Sequence, residues 1–345
     1  MALVAALVLG PLSDRLASRR PLLLASTLVA LIAWGLLATA NSMTIAVAAW
    51  ALTGAGPLAL VFAMLRDMVT AAGNQRGRVM GVVRTGFAIG WMGGPPFAGI
   101  AVDAVGFRGT MAGVAAVYAC ALVFTWFSIE DVAYRSVPAH ATVGVGERNT
   151  PVLVLVTLAT ALSYGAQTSH QVYLPLYIEK ILGQSATVVG FILAVTVLVE
   201  LPAMPLIGKL ADRVGLAPVY AAGLAVHALY FTVLAFIDTT VGVVLVQPLA
   251  SFGAGCLETC ALLLLLEALP NSAGVVTALT QVAFRGGVMI MSPLLGWLLE
   301  VGGWPLPFVA SAIAEVIACA FIIAIAISGR REAPSRLQEP QRGLL

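Results

Sequence analysis

The chain is poor in charge. Only 10% of its 345 residues are Asp, Glu, Lys or Arg, against about 25% in soluble domains. A soluble core cannot account for a chain that is 60% hydrophobic, because much of a soluble protein must face water. The net charge of +2 lacks the basic excess of nucleic-acid-binding proteins. The composition therefore excludes an ordinary soluble domain and predicts a protein whose solvent is lipid.

Motifs that carry chemistry are absent as well. The four cysteines lie inside apolar runs without the spacing of a zinc module, so no metal and no other cofactor is predicted. No G-x-x-x-x-G-K-[ST] loop is present, which excludes nucleotide hydrolysis by that route. Paired carboxylates, a nucleophile elbow and loop metal spacings are also lacking. We therefore do not expect an enzyme.

Long hydrophobic runs are what the chain has in abundance. A bilayer core of about 30 Å requires about 20 apolar residues per helix. The chain is predicted to contain ten complete spans, near residues 21–40, 43–65, 79–102, 107–129, 151–178, 186–208, 216–237, 240–266, 272–299 and 304–328. These runs are much longer than the roughly 9–11 residues of a barrel strand. The prediction is an all-α membrane protein.

The first residues do not fit a complete span. Residues 1–12 are apolar but too short to cross a bilayer. A signal peptide would have basic residues before the apolar run, whereas the first basic residues here follow it. We expect the back half of a membrane helix.

Basic residues indicate the orientation. With residues 13–20 in the cytoplasm, fourteen of the eighteen Lys and Arg residues lie on the cytoplasmic side, as the positive-inside rule requires. The expected location is the cytoplasmic (inner) membrane, with many passes and a cytoplasmic C-terminus. Residues 130–150 are predicted to be a cytoplasmic linker, and residues 329–345 a disordered cytoplasmic tail.

The two halves of the chain repeat each other. Gly10, Leu12, Asp14 and Arg15 match residues 198 positions later, and Gly77, Pro96 and Gly99 match residues 197 positions later. Both copies have the same orientation, so the repeat is parallel and predicts two six-helix halves. Residues 1–129 form the first half and residues 151–328 the second. Aligning the halves indicates that about 50 residues are missing from the first, which is one helix and half of another.

The loop from Gly10 to Pro21 resembles the G-x-L-x-D-R-x-G-R-[KR] signature of the major facilitator superfamily, with departures at Ala17 and Ser18. The resemblance implies a conformational latch at Gly10, Asp14 and Arg15. The second copy places the corresponding latch at Gly208, Asp212 and Arg213. A charged loop that only sets topology is the alternative.

Other segments are similar to bacterial sugar efflux transporters. They are Leu65-Arg66-Asp67, Arg84, Gly93-Gly94-Pro95-Pro96, Glu200-Leu201-Pro202-Ala203-Met204, Gln247 and Leu269-Pro270-Asn271-Ser272-Ala273-Gly274. This resemblance implies a secondary transporter, acting as a monomer, that exports sugars or similar small polar solutes in exchange for protons. Two alternatives stay open: an exporter of drugs or amphipathic compounds on the same fold, and a truncated remnant that does not transport.

Charged residues within spans are costly in lipid and therefore candidates for function. Arg84 and Arg285 are predicted to bind substrate, with Gln281, which the repeat aligns with Arg84. Glu200 and Glu258 are predicted to couple protons to transport, whereas Glu315 is assigned to structure.

A polar stripe runs along the predicted span at residues 151–178. Tyr164, Gln167 and Gln171 recur at helical spacing and are predicted to contact a sugar, since Gln can donate to and accept from hydroxyl groups. Hydrogen bonds between helices are the alternative. His170 is a further candidate for carrying a proton, unless it is solvated near the outer end of its helix.

Overall fold

The computed structural model describes residues 20–54, 76–128, 150–269 and 273–336. In these ranges every regular element is a helix. The elements, in chain order, are α1 (Arg20–Thr39), α2 (Met43–Thr53), α3 (Arg76–Ser128), α4 (Thr150–Thr168), a π-helical segment (Ser169–Tyr173), α5 (Leu174–Lys180), α6 (Ala186–Val214), α7 (Leu216–Leu234), α8 (Thr240–Ala268), α9 (Ala273–Gly302) and α10 (Pro305–Arg336).

Eight of the described helical stretches are long and apolar enough to cross a membrane. They confirm the predicted all-α membrane protein. The longest stretch, α3, contains two predicted spans. Gly106 separates them with φ 72° and ψ 173°, a conformation that suits glycine because it has no Cβ. The predicted spans 79–102 and 107–129 therefore meet at the expected break.

The chain divides into two compact units. Unit 1 comprises residues 1–140 with 185–190, and unit 2 comprises residues 141–184 with 191–345. In unit 1, α1 packs along α3. Arg20 donates to the carbonyl of Trp126 at 2.6 Å, and Arg108 donates to the carbonyl of Ala40 at 3.1 Å. Both ends of α1 are thus tied to α3.

Unit 2 is built around contacts among α4, α7, α8, α9 and α10. Its largest fully buried side chains are Tyr220, Tyr230, Phe231 and Phe308. Lipid gives helices no hydrophobic reason to associate, so close packing of small residues matters more. At the crossing of α4 and α9, a Cβ on Gly287 would overlap the carbonyl oxygen of Ala161. Only glycine permits this approach.

Two helix ends differ from the sequence predictions. The predicted span 186–208 continues to Val214 and stops at Gly215, whose φ of 95° ends the helix. Helix α10 continues to Arg336, into the segment expected to be a disordered tail. Arg330, Arg331 and Glu332 are good helix formers, so the helix continues beyond the apolar run.

Candidate functional site

Three helices of unit 2 bring together a tyrosine and two carboxylates. The hydroxyl of Tyr164 on α4 donates to Oε1 of Glu258 on α8 at 3.1 Å. Glu200 on α6 lies against the preceding turn of α8, since its Cγ is 3.9 Å from where a Cβ on Gly255 would be. Glu200 is near enough to Glu258 for their charges to interact. Three residues predicted separately from sequence are therefore neighbours.

A buried set of hydrogen bonds holds α6 against α8 one turn before Glu200. Thr196 Oγ1 donates to Oε1 of Gln247 at 2.7 Å, and Ser251 Oγ donates to the carbonyl of Thr196 at 2.7 Å. Gln247 and Ser251 are completely buried. Gln247 is one of the residues that resemble sugar efflux transporters in sequence. Its hydrogen bond to Thr196 gives it a packing role, since it fixes the position of Glu200 along α8.

Two prolines follow Glu200 within α6. Pro202 and Pro205 cannot donate backbone hydrogen bonds, which leaves carbonyl groups of the preceding turn without their helical partners and permits a bend. Glu200 is half-buried and precedes this weakened part of the helix. A carboxylate at such a place can change its surroundings when the helix bends.

The ring of Tyr164 is held by α9. Phe284 meets it edge to face, with ring centroids 4.8 Å apart. The tight crossing of α4 and α9 lies next to this contact, at Gly165 and Gly287. Only 8% of Tyr164 is exposed, so its hydroxyl is fixed where it bonds Glu258.

Arg285 follows Phe284 on α9 and is half-buried. Its Nε is buried without a hydrogen-bond partner, and Arg285 forms no ion pair with any residue in the described ranges. A structural ion pair with a carboxylate, which would be the alternative to substrate binding, is therefore not seen among the described residues. Gln281, one turn away on the same face, is exposed.

The remaining predicted substrate residues are less constrained. Gln167 is half-buried and Gln171 is exposed, and neither shares a hydrogen bond with the described part of the chain. The backbone of Arg84 lies in α3, but its side chain is outside the described residues.

Only the second of the two predicted latch motifs lies within the described residues. Gly10, Asp14 and Arg15 lie outside the described residues. Gly208 is half-buried near the end of α6, and Asp212 and Arg213 are exposed. The last two make no hydrogen bond or ion pair with residues in the described ranges.

The surroundings of His170 exclude one of the two interpretations predicted for it. It lies in the π-helical segment, is 9% exposed, and its Nδ1 is 2.7 Å from the hydroxyl of Tyr230. The alternative of a solvated outer histidine is wrong, because the side chain is buried against Tyr230 of α7, whereas a role in carrying a proton stays a prediction.

One buried ionisable pair was not foreseen. His227 Nδ1 lies 2.8 Å from Oε1 of Glu315. The sequence analysis predicts a structural role for Glu315 and gives no signal for His227. Their pairing depends on how α7 and α10 pack, which no spacing in the sequence reports.

Ionisable and hydrogen-bonding side chains gathered among membrane-length helices are typical of membrane transport proteins. The model of the Major Facilitator Superfamily matches residues 1–154 and 156–344. The chain belongs to this superfamily.

Curated relatives are distant. Sugar efflux transporter A of Escherichia coli K12 is 24% identical over 260 residues, which are 75% of this chain and 66% of that protein. The chain thus spans just under two thirds of its length. Sugar efflux transporter A of Dickeya chrysanthemi is 24% identical over 310 residues, 89% of this chain and 79% of that protein. Multidrug resistance protein MdtG of Yersinia enterocolitica is 28% identical over 231 residues, 65% of this chain and 56% of that protein.

Solved structures agree on the fold. The peptide transporter POT in complex with sulfate superposes with a TM-score of 0.80 at 14% identity, covering 95% of this chain and 84% of that chain. A mutant of the nucleoside transporter NupG superposes with a TM-score of 0.73 at 14% identity, covering 93% of this chain and 86% of that chain. The predicted facilitator fold is confirmed.

Proposed function

We propose that the protein is a secondary active transporter that exports sugars or similar small polar solutes by proton antiport. The observation that carries the proposal is the meeting of Tyr164, Glu200 and Glu258 inside unit 2. Two of the relatives described above are named sugar efflux transporters. The proposed location is the inner membrane, and the proposed working unit is a monomer.

Proton exchange follows from the chemistry of neighbouring carboxylates. Two nearby carboxylates of like charge do not ionise together without cost, so one tends to keep a proton. An ionised Glu258 accepts hydrogen bonds from Tyr164 and from the hydroxyl groups of a sugar, whereas a protonated one loses part of that capacity. Proton and sugar therefore compete, which is the requirement for antiport.

Arg285 is proposed to bind the substrate with Gln281, Gln167 and Gln171. A buried guanidinium nitrogen without a partner is costly, and a polar solute would satisfy it. Arg84 is proposed as the equivalent donor of the first half, from its place in the repeat. The latch role of Asp14, Arg15, Asp212 and Arg213 and their glycines Gly10 and Gly208 remains a proposal from the family resemblance.

A second candidate is export of drugs or other amphipathic compounds. The relatives named MdtG favour it, as does the apolar ring of Phe284 beside Tyr164. A site for drugs would rest on apolar contacts, and loss of the Arg285 guanidinium would change affinity little. A site for sugars would lose most of its affinity, because hydroxyl groups would lose their donor.

Transport in inverted membrane vesicles tests the proposal. The full chain would be supplied with a labelled disaccharide or a cationic dye, with and without an imposed pH gradient. We expect gradient-driven accumulation of the sugar, abolished by Glu200→Gln and retained by Glu300→Gln, an exposed residue at the end of α9. Accumulation of the dye alone would favour the second candidate. Accumulation of neither, with the protein folded in the membrane, would contradict both.

A further inference from the structure

A positive charge lies deep within α9 and has no acidic partner in the part of the chain that the structure describes. Arg285 is far from the start of its helix at Ala273, about 18 Å along the axis at the usual rise per residue. The residue is half-buried, and its Nε is buried without a hydrogen-bond partner. A guanidinium group keeps its charge in proteins, so this charge needs a partner that the described helices do not supply.

The carboxylates of the neighbouring helices are engaged elsewhere. Glu258 on α8 accepts a hydrogen bond from Tyr164, and Glu315 on α10 accepts one from Ser163. Neither forms an ion pair with Arg285. An uncompensated charge is costly both inside a protein and against lipid. A purely structural arginine would have a fixed carboxylate beside it, and its lack among the described residues points to a partner that binds and leaves.

The side of α9 that carries Arg285 has further polar character and unfilled space. Gln281 lies one turn earlier on the same face and is exposed. A Cβ on Gly286 would meet nothing within 4 Å, so no described protein atom fills the space beside the helix there. In contrast, Phe284 and Gly287 pack against α4. One side of α9 is therefore packed on a neighbour, and another offers donors to a ligand.

We propose that Arg285 and Gln281 bind the anionic group of the substrate, and that the transported solute is a sugar carrying a carboxylate or a phosphate ester. This inference rests on the proposed function and narrows its substrate class from small polar solutes to anionic sugars. The planar guanidinium presents paired N–H donors that match the paired oxygens of a carboxylate or phosphate. Nε belongs to one such edge of the group.

A neutral sugar would satisfy Arg285 less completely. Its hydroxyl groups can accept a hydrogen bond from Nε, but they leave the positive charge without a counter-charge. Hydrogen bonds between two charged groups are about twice as strong as those between neutral groups, and surroundings poor in water enlarge the difference. An anionic sugar should therefore bind more tightly than its neutral analogue, by about 10- to 100-fold.

The acidic side chains of unit 2 give such a ligand one orientation. A carboxylate accepts hydrogen bonds from hydroxyl groups but cannot accept them from another anionic group. Glu258 therefore favours the hydroxyl end of the sugar, whereas Arg285 favours its anionic end. Both ends belong to one neighbourhood, because Phe284, the residue before Arg285, contacts the ring of Tyr164, and the hydroxyl of Tyr164 donates to Glu258.

Isothermal titration calorimetry of the purified full chain tests the inference. The ligands are methyl glucoside, methyl glucuronide and the phosphate ester of methyl glucoside, all of which differ only in the group at the last carbon of the sugar. We expect one or both anions to bind the wild type about 10- to 100-fold more tightly than the neutral glucoside. The anion that binds more tightly shows whether a carboxylate or a phosphate ester is preferred.

Variants of Arg285 show whether this residue causes the preference. Arg285→Gln should bind all of the ligands with similar affinity, because an amide carries no charge. Arg285→Lys should keep part of the preference, since it retains the charge but loses the paired donors. Lys180→Gln removes an exposed positive charge at the end of α5, and this matched control should bind the ligands as the wild type does.

Two results would overturn the inference: equal or weaker binding of both anions by the wild type, or an unchanged preference in Arg285→Gln. The first depends on no variant, so the test holds even if a variant does not fold. No proton gradient is used in either measurement. Equal binding of the neutral and anionic sugars would leave sugar export standing, whereas a failure of vesicles to transport any sugar would count against the proposed function itself.

Discussion

Replacing Gly287 with alanine places a methyl group against the backbone of α4. The new Cβ would overlap the carbonyl oxygen of Ala161 and lie 2.9 Å from its carbonyl carbon and 3.1 Å from the backbone nitrogen of Gly165. These are backbone atoms, so no change of rotamer relieves the overlap. Carbon contacts are ordinarily about 3.5–4.0 Å, and α4 and α9 must therefore move apart by roughly 1 Å.

The neighbouring glycine provides the control. A Cβ on Gly286 meets nothing within 4 Å, while Gly286→Ala gains the same helix propensity, about 1 kcal/mol. The gain in helix propensity is the same in both variants, so the difference between their stabilities reports the cost of the steric overlap at residue 287. Overpacking costs typically about 1–3 kcal/mol.

The assay is the thermal midpoint of each purified variant. At about 2–4 °C per kcal/mol for a unit of this size, we expect Gly287→Ala to melt several degrees below Gly286→Ala. Transport should fall as well, since the same movement draws Phe284 away from Tyr164. Equal midpoints for the two variants would refute the described crossing of α4 and α9.

Three further changes test single contacts. Tyr164→Phe removes the hydrogen bond to Glu258 but keeps the ring, so we expect a stability loss of only about 0.6 kcal/mol. The pH dependence of transport should shift. An unchanged pH profile would show that the Tyr164 hydroxyl has no role in proton coupling. Asp103 accepts from the backbone amides of Ala186 and Thr187 at 3.1 and 2.8 Å, so Asp103→Ala should speed hydrogen exchange at these amides, whereas Asp103→Asn should do so less. Gly215→Ala should lower stability by about 1–3 kcal/mol, because φ 95° and ψ 154° lie in a region that is essentially restricted to glycine; a midpoint equal to that of the wild type would contradict the turn.

Much of the fold could be predicted because lipid imposes strong rules on sequence. Apolar runs of span length correspond to the described helices, and the break at Gly106 lies between two predicted spans. The continuation of α10 to Arg336 could not be predicted from hydrophobicity, because the apolar run ends earlier and only the helix propensity of the residues favours the last turns.

The candidate site was predicted as separate residues and not as a cluster. Tyr164 and Glu258 are 94 positions apart, and the rotation of α4 relative to α8 decides whether they meet. The periodicity of polar and apolar residues indicates which residues share a face of a helix, but not which helix packs against that face. The contact between His227 and Glu315 could not be predicted for the same reason. The burial of His170 could not be predicted either, because this residue lies within the π-helical segment, which departs from the regular helical periodicity.

Proton movement during transport tests the central proposal most directly. Lightly buffered vesicles containing the full chain and an internal pH indicator would be given a disaccharide without an imposed gradient. The account predicts that sugar entering the vesicles drives protons out, that Glu200→Gln and Glu258→Gln remove this signal, and that Glu300→Gln keeps it. Sugar transport at the wild-type rate without any accompanying proton movement would contradict antiport.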